Sequence, residues 1–187
     1  MPIYYIPKTE FKVIHYEDIK PFVDNAEPED FKVLIALTWL TGARIQEIVN
    51  LKKRDIIIDE KGITVIIKAL KQKRQATGKP SFGFRDPFIS DLIIPYLKKI
   101  ENEDEKLFKK TKRRYQQLLK KLNEKLYPED KSKWITFHYL RHSRITFLAR
   151  ELGAYPEEIK SWTGHRSVAF EEYISFSKVE RFRNKIY

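Results

Sequence analysis

Apolar positions recur at two different periods along this chain, and the changes of period mark out its elements. From Asp30 to Leu40, the residues Phe31, Val33, Leu34, Ile35, Ala36, Leu37, Trp39 and Leu40 point in almost every direction around a helix axis. That pattern predicts a helix buried on all sides, closed by Thr41-Gly42. A shorter helix is expected before it, opened by Tyr16-Glu17-Asp18 and running to about Asn25. Ala43 to Leu51 predicts another short helix, with Ile45, Ile48 and Val49 turned inward and Arg44 and Glu47 sharing a different face. The period then shortens. Arg54–Ile58 and Ile63–Ile67 are β-branched runs joined by Asp59-Glu60-Lys61-Gly62, which predicts a hairpin, and a third strand is expected over Phe82 to Ile89.

Helical spacing returns in the second half. Helices are predicted from Asp91 to about Asn102 and from Thr111 to about Leu126. The latter sets Leu118, Leu119, Leu122 and Leu126 opposite Lys112, Arg113, Lys120 and Lys121. Phe137, Leu140, Ile145, Phe147, Leu148 and Leu152 then form the apolar side of a further helix. Gly153 and Pro156 punctuate, and Pro156 with Glu157-Glu158 reads as a helix start that Gly164 closes. Residues 1–12 read as an extended lead-in, and the tail after Tyr173 as an amphipathic helix in need of something to pack on. The expected fold is mainly α with a small three-stranded antiparallel β-sheet, in one domain over residues 1–187.

Composition narrows the function. The 187 residues are 42% hydrophobic and 34% charged, a globular balance, with a net charge of +11. So large a cationic excess points to a polyanionic partner, with nucleic acid ahead of an anionic membrane surface. There are no cysteines, which excludes disulfides and thiolate metal sites. No apolar run is long enough to span a membrane, and no secretory pattern opens the chain, so the reading is of an intracellular protein: cytoplasmic and nucleoid-associated, or encoded by a virus or plasmid. Lys- and Glu-rich composition with a single Met leans toward a hyperthermophilic source.

The candidate chemistry gathers in Thr136–Tyr173. His138 and Arg141 are three residues apart and share a helix face; Gly164-His165 and Tyr173 follow. An Arg presents a planar fork matching two phosphate oxygens, and a Tyr hydroxyl can serve as a covalent nucleophile. His-x-x-Arg, then Gly-His, then Tyr resembles the C-terminal signature of the tyrosine recombinases, the phage-integrase family, with the Gly-His to Tyr spacing one residue shorter than usual. Thr41-Gly42-Ala43-Arg44-Ile45-Gln46-Glu47 resembles the family's other signature segment. The two stand in the proper order about a hundred residues apart.

The resemblance, strongest for archaeal-type integrases, implies a site-specific DNA strand-transferase of a mobile element. Such an enzyme breaks and rejoins DNA through a 3′-phosphotyrosyl intermediate, without metal, cofactor or ATP. It implies Arg44 and Arg141 as phosphate clamps, Glu47 as a support of its helix, and His138 and His165 as hydrogen-bonding or proton-transfer groups. Tyr173 becomes the nucleophile. A catalytic lysine is implied on the turn after the hairpin, where Lys68 fits best and Lys71 and Lys73 stay open. Lys71, Lys73, Arg74, Lys112 and Arg113 are candidate contacts to DNA phosphates. The partners implied are double-stranded DNA and further copies of the chain, a tetramer in synapsis, with no membrane. The resemblance covers roughly residues 12 to 180, the catalytic domain only, with the family's N-terminal core-binding domain expected to be absent. Two alternatives remain: a type IB topoisomerase, which shares the residue set, and a non-catalytic DNA-binding relative. A basic RNA-binding module has no RRM- or KH-like pattern behind it.

Overall fold

The computed structural model describes residues 13–60, 62–68, 81–82 and 86–163. These segments hold seven helices and a small antiparallel sheet, in the order α1 (Tyr16–Asn25), α2 (Glu29–Thr41), α3 (Ile45–Val49), β1 (Ile56–Asp59), β2 (Gly62–Val65), β3 (Ser81–Phe82), α4 (Ile94–Lys98), α5 (Lys112–Leu126), α6 (Phe137–Thr146) and α7 (Pro156–Thr163). Helix α2 is the centre, touched by α1, α3, α4 and α6. Its apolar residues face all round, and Phe31, Leu34, Ile35, Leu37 and Leu40 are each buried. Burial of side chains this size contributes roughly 1.5–3 kcal/mol apiece. At its N-terminus, Asp30 accepts from the Tyr115 hydroxyl at 2.6 Å and pairs with Lys110 at 2.8 Å, tying α5 to α2.

The hairpin pairs Ile56 with Val65 and Asp59 with Gly62. Strand β2 is the buried one, through Ile63 and Val65, whereas Ile57 and Ile58 of β1 are exposed. The third strand differs from its expected span. Among the described residues after the hairpin, Ser81–Phe82 pairs with β2, and from Pro87 onward the chain is helical, first as a five-residue π-helical stretch, Ile89–Ile93, and then as α4. The reason lies in Asp86-Pro87. The Asp86 carboxylate accepts from the Phe88 amide at 2.9 Å, and Pro87 supplies the fixed φ of a first helical residue. Ile89, Ile93 and Leu97, four apart, then bury one helical face. The helix expected over 91–102 accordingly begins and ends earlier.

Thr111 and Thr136 cap α5 and α6, their hydroxyls accepting from the Arg114 and Tyr139 amides. A π-helical stretch, Phe147–Glu151, continues α6. A second, smaller core of Ile145, Leu148, Ala149 and Ile159 holds α7 against it. The Gly164 helix stop, the 174–187 tail and the 1–12 lead-in lie outside the described residues. Among the described residues no helix is long and apolar enough to cross a membrane.

Candidate active site

The site is built around the C-terminal end of α2. A helix ends with carbonyls that have no partner of their own, and they carry partial negative charge. Here three in succession are taken by side chains from the far end of the chain. The Leu40 carbonyl accepts from Arg144 Nε at 2.6 Å, the Thr41 carbonyl from Trp162 Nε1 at 2.9 Å, and the Gly42 carbonyl from Arg141 Nη1 at 2.6 Å. Helices α6 and α7 are thereby keyed to α2, and Arg141 is placed beside the turn that leads to Arg44. Gly42 makes that turn. Its φ of 66° lies in the left-handed region, and a Cβ there would stand 3.0 Å from both Cβ and Cγ of Arg144.

The Arg144 side chain has no room to yield. It stacks over Trp39 and Phe147 while bonded to Leu40, and burial pulls its guanidinium down to about 10, still protonated at neutral pH. Gly42→Ala is therefore expected to lose stability by more than the roughly 1–2 kcal/mol of left-handed strain alone. A thermal melt checks this, and an unchanged midpoint would refute the keyed arrangement.

Two residues past Gly42 stands Arg44, which Glu47 fixes. Its buried carboxylate accepts from the Arg44 amide at 2.8 Å and from Arg44 Nη1 at 3.1 Å. One carboxylate thus caps α3 and aims the guanidinium, which an exposed surface pair would not do. Arg44 keeps 39% of its side chain accessible, and it opens onto a cleft of about 620 Å³. His138 and Arg141 line the same cleft, with Lys112 and Lys120 of α5 along its wall. Asn123 holds that wall in register: buried, it donates to the Ile135 carbonyl and accepts from the Ile135 amide, both at 2.8 Å. Two signature segments a hundred residues apart in sequence therefore present two guanidiniums and an imidazole to one space.

His138 has a partner. Its Nε2 lies 2.6 Å from Nε2 of His142, one turn on, with the rings near perpendicular. Burial, aided by the nearby charges of His138 and Arg141, pushes His142 down to about 4. It is neutral at pH 7, and one ring donates its N–H to the lone pair of the other. An i, i+4 histidine pair is visible in the sequence, but its contact is not predictable from spacing alone.

Lys68 is not brought to the cleft. Its side chain is 69% exposed, and its ammonium stands 3.4 Å from Asp55. Arg113 lines a neighbouring groove with Lys112. Lys71, Lys73, Arg74, His165 and Tyr173 lie outside the described residues. Sequence reasoning passed over Asn123, His142, Arg144 and Trp162. Arg144 and Trp162 carried no motif signal, because their partners are 104 and 121 residues away.

The model of the phage integrase family matches residues 12–174. Tyrosine recombinase XerA of Thermococcus kodakarensis is 26% identical over 184 residues, which are 95% of this chain and 62% of XerA. Among solved structures, XerA recombinase aligns with a TM-score of 0.68 at 17% identity, over 99% of this chain and 67% of that one. The XerH site-specific recombinase, in a post-cleavage complex with its palindromic difH substrate, aligns with a TM-score of 0.67 at 20% identity, over 94% and 52%. The chain thus spans between about half and two thirds of the length of these relatives. At such identities the structural likeness speaks for the fold. Both signature segments fall inside the matched range, and the chain belongs to the phage integrase family.

Proposed function

We infer that the chain is the catalytic part of a tyrosine recombinase, a DNA strand-transferase that breaks and rejoins double-stranded DNA at specific sites. The observation that carries this reading is the convergence of Arg44, Arg141 and His138 on one cleft. A phosphodiester in an in-line displacement gathers negative charge on its non-bridging oxygens, and two guanidiniums match those oxygens by shape and charge. XerH, of the same fold, is described with its difH substrate after cleavage, which supports a DNA partner here.

In this mechanism the Tyr173 oxygen attacks phosphorus and loses its proton to a neighbouring imidazole, His138 or His165. The bond to the 5′-oxygen breaks, and that oxygen takes a proton from a lysine of the 68–73 stretch. The products are a 3′-phosphotyrosyl enzyme and a free 5′-hydroxyl. One phosphodiester has replaced another, so rejoining is the same step in reverse and needs no ATP. In the arrangement described, Lys68 faces Asp55, so it serves as the acid only if DNA draws it away; Lys71 and Lys73 are the other candidates. Strand exchange between two sites calls for two cleaving subunits per site, hence a tetramer in synapsis.

The test is incubation with a nicked suicide substrate and mapping of the covalent peptide. An adduct on Tyr173 supports the reading, and none under any condition refutes it. Two further outcomes are expected. DNA affinity should fall steeply with salt, as neutralised phosphates release counterions, and a flat response from about 50 to 200 mM would contradict the basic wall of the cleft. Cleavage should also persist in excess EDTA, since cationic side chains hold the phosphate; strict Mg²⁺ dependence would point to a nuclease.

A further inference from the structure

Beside the clamp cleft lies a second, open groove of about 980 Å³ that the mechanism does not use. It shares Lys112 and Gln116 with the cleft, so the two adjoin. Among the described residues, five basic side chains and no carboxylate line it. Lys109 and Lys110 are occupied by Glu105 and Asp30. Lys106, Lys112 and Arg113 make no ion pair with any described residue. On the α3 side of this basic surround sit two amides, Gln46 and Asn50, four residues apart. Gln46 Nε2 donates to Asn50 Oδ1 at 3.2 Å.

That bond leaves a particular set of valences. Gln46 Oε1 remains as an acceptor, and Asn50 Nδ2 and the second Gln46 N–H remain as donors. Each amide holds the other in place, so little side-chain freedom remains to be lost on binding. An acceptor next to a donor is the complement of adenine in the major groove, which offers the N7 acceptor and the N6 amino group. The surrounding cations suit the flanking phosphates, which position a duplex without reading it. Arg44 stands at the head of the helix that carries both amides. With about 1.5 Å of rise per residue, Asn50 is about 9 Å further along. At about 3.4 Å per base pair, that is roughly two or three base pairs from the phosphate held by Arg44.

We propose that Gln46 and Asn50 together read an adenine in the duplex flanking the scissile phosphate, while Lys106, Lys112 and Arg113 hold its backbone. This rests on the strand-transferase reading above and adds a residue-level source of site preference to it.

A binding selection tests it, using the full 187-residue chain and duplexes randomised over about six base pairs on either side of one fixed position. The wild-type chain is expected to enrich adenine at one position. Gln46→Ala and Asn50→Ala should each reduce that preference by about tenfold or more, the scale of one bidentate base contact. Their affinity for unselected DNA should stay within about twofold, with the same salt dependence. The Lys112→Ala/Arg113→Ala double variant is the contrast: it should weaken all sequences alike and lower the salt slope by about two. Both amides are solvent-accessible, so a melt should confirm that the variants fold. The inference is overturned if the wild type enriches no base, if the amide variants keep its preference, or if they weaken every sequence equally. In those cases the strand-transferase reading stands. If the wild type binds no duplex at all, both fall together.

Discussion

Tyr173→Phe is expected to abolish the covalent protein–DNA adduct while leaving DNA affinity within about twofold. A free tyrosine titrates near 10, so about one in a thousand is ionised at neutral pH and full ionisation costs roughly 4 kcal/mol. Guanidiniums beside the attacked phosphate offset part of that cost. Phenylalanine keeps the ring and removes the only atom able to attack. Other tyrosines compete on paper, and the structure sorts several of them. The Tyr115 hydroxyl is committed to Asp30, and burial pushes its titration up. The Tyr96 hydroxyl donates to the Leu107 carbonyl, and burial with nearby carboxylates raises it to about 12. Both rings pack into or against the core, so neither can reach the cleft. Tyr139 is half-buried within α6, between His138 and Arg141, and packs on the main core. Tyr155 is 62% exposed and is the strongest rival among the described residues. Mapping the adduct decides: a peptide containing Tyr155, or an adduct that survives in Tyr173→Phe, would overturn the assignment.

The helices are largely legible in the chain, because burial on one side or on all sides imposes a repeat that survives in the sequence. Helix α2 reads as buried all round and is; α1 and α5 fall within a residue of their expected bounds. The 82–89 run misleads for an equally physical reason. Phe82, Phe84, Phe88 and Ile89 satisfy a short strand as well as a helix start, and only Asp86-Pro87 distinguishes them. The site divides along the same line. Arg44 with Glu47 is a local device, spanning three residues, and shows in the sequence. One partner of Arg141 is a carbonyl 99 residues away, which no local pattern encodes. Lys68 fits the catalytic role by its place after a strand, but side-chain direction there depends on Asp55, across the base of the hairpin.

The two arginines should separate under mutation, although the proposed mechanism gives them one chemical task. Removing either donor should lower cleavage by about two to three orders of magnitude, the usual effect of losing one group that stabilises developing charge. Their structural surroundings differ. Arg44 is part-exposed, and without its side chain Glu47 still accepts from the residue-44 amide and still caps α3. Arg44→Ala should therefore cost only about 0.5–1.5 kcal/mol, because the buried Glu47 carboxylate loses its guanidinium partner but keeps its amide bond. Arg141 is 4% exposed, and its Nη1 satisfies the Gly42 carbonyl. Arg141→Ala leaves that carbonyl to find another donor at a closed helix–helix contact, at a cost of about 1.5–3 kcal/mol. Gly42 is also the turn that aims Arg44, so the Arg141→Ala variant should loosen both clamps and fall further in kcat than Arg44→Ala. The Arg141→Lys substitution would keep a charge but lose the fork, and so should recover stability better than cleavage. Parallel melts and single-turnover cleavage of Arg44→Ala, Arg141→Ala and Arg141→Lys measure these effects separately. Equal melting points for the two alanine variants would show that the Gly42–Arg141 bond does not hold the site together, and normal cleavage by either would remove that arginine from the clamp.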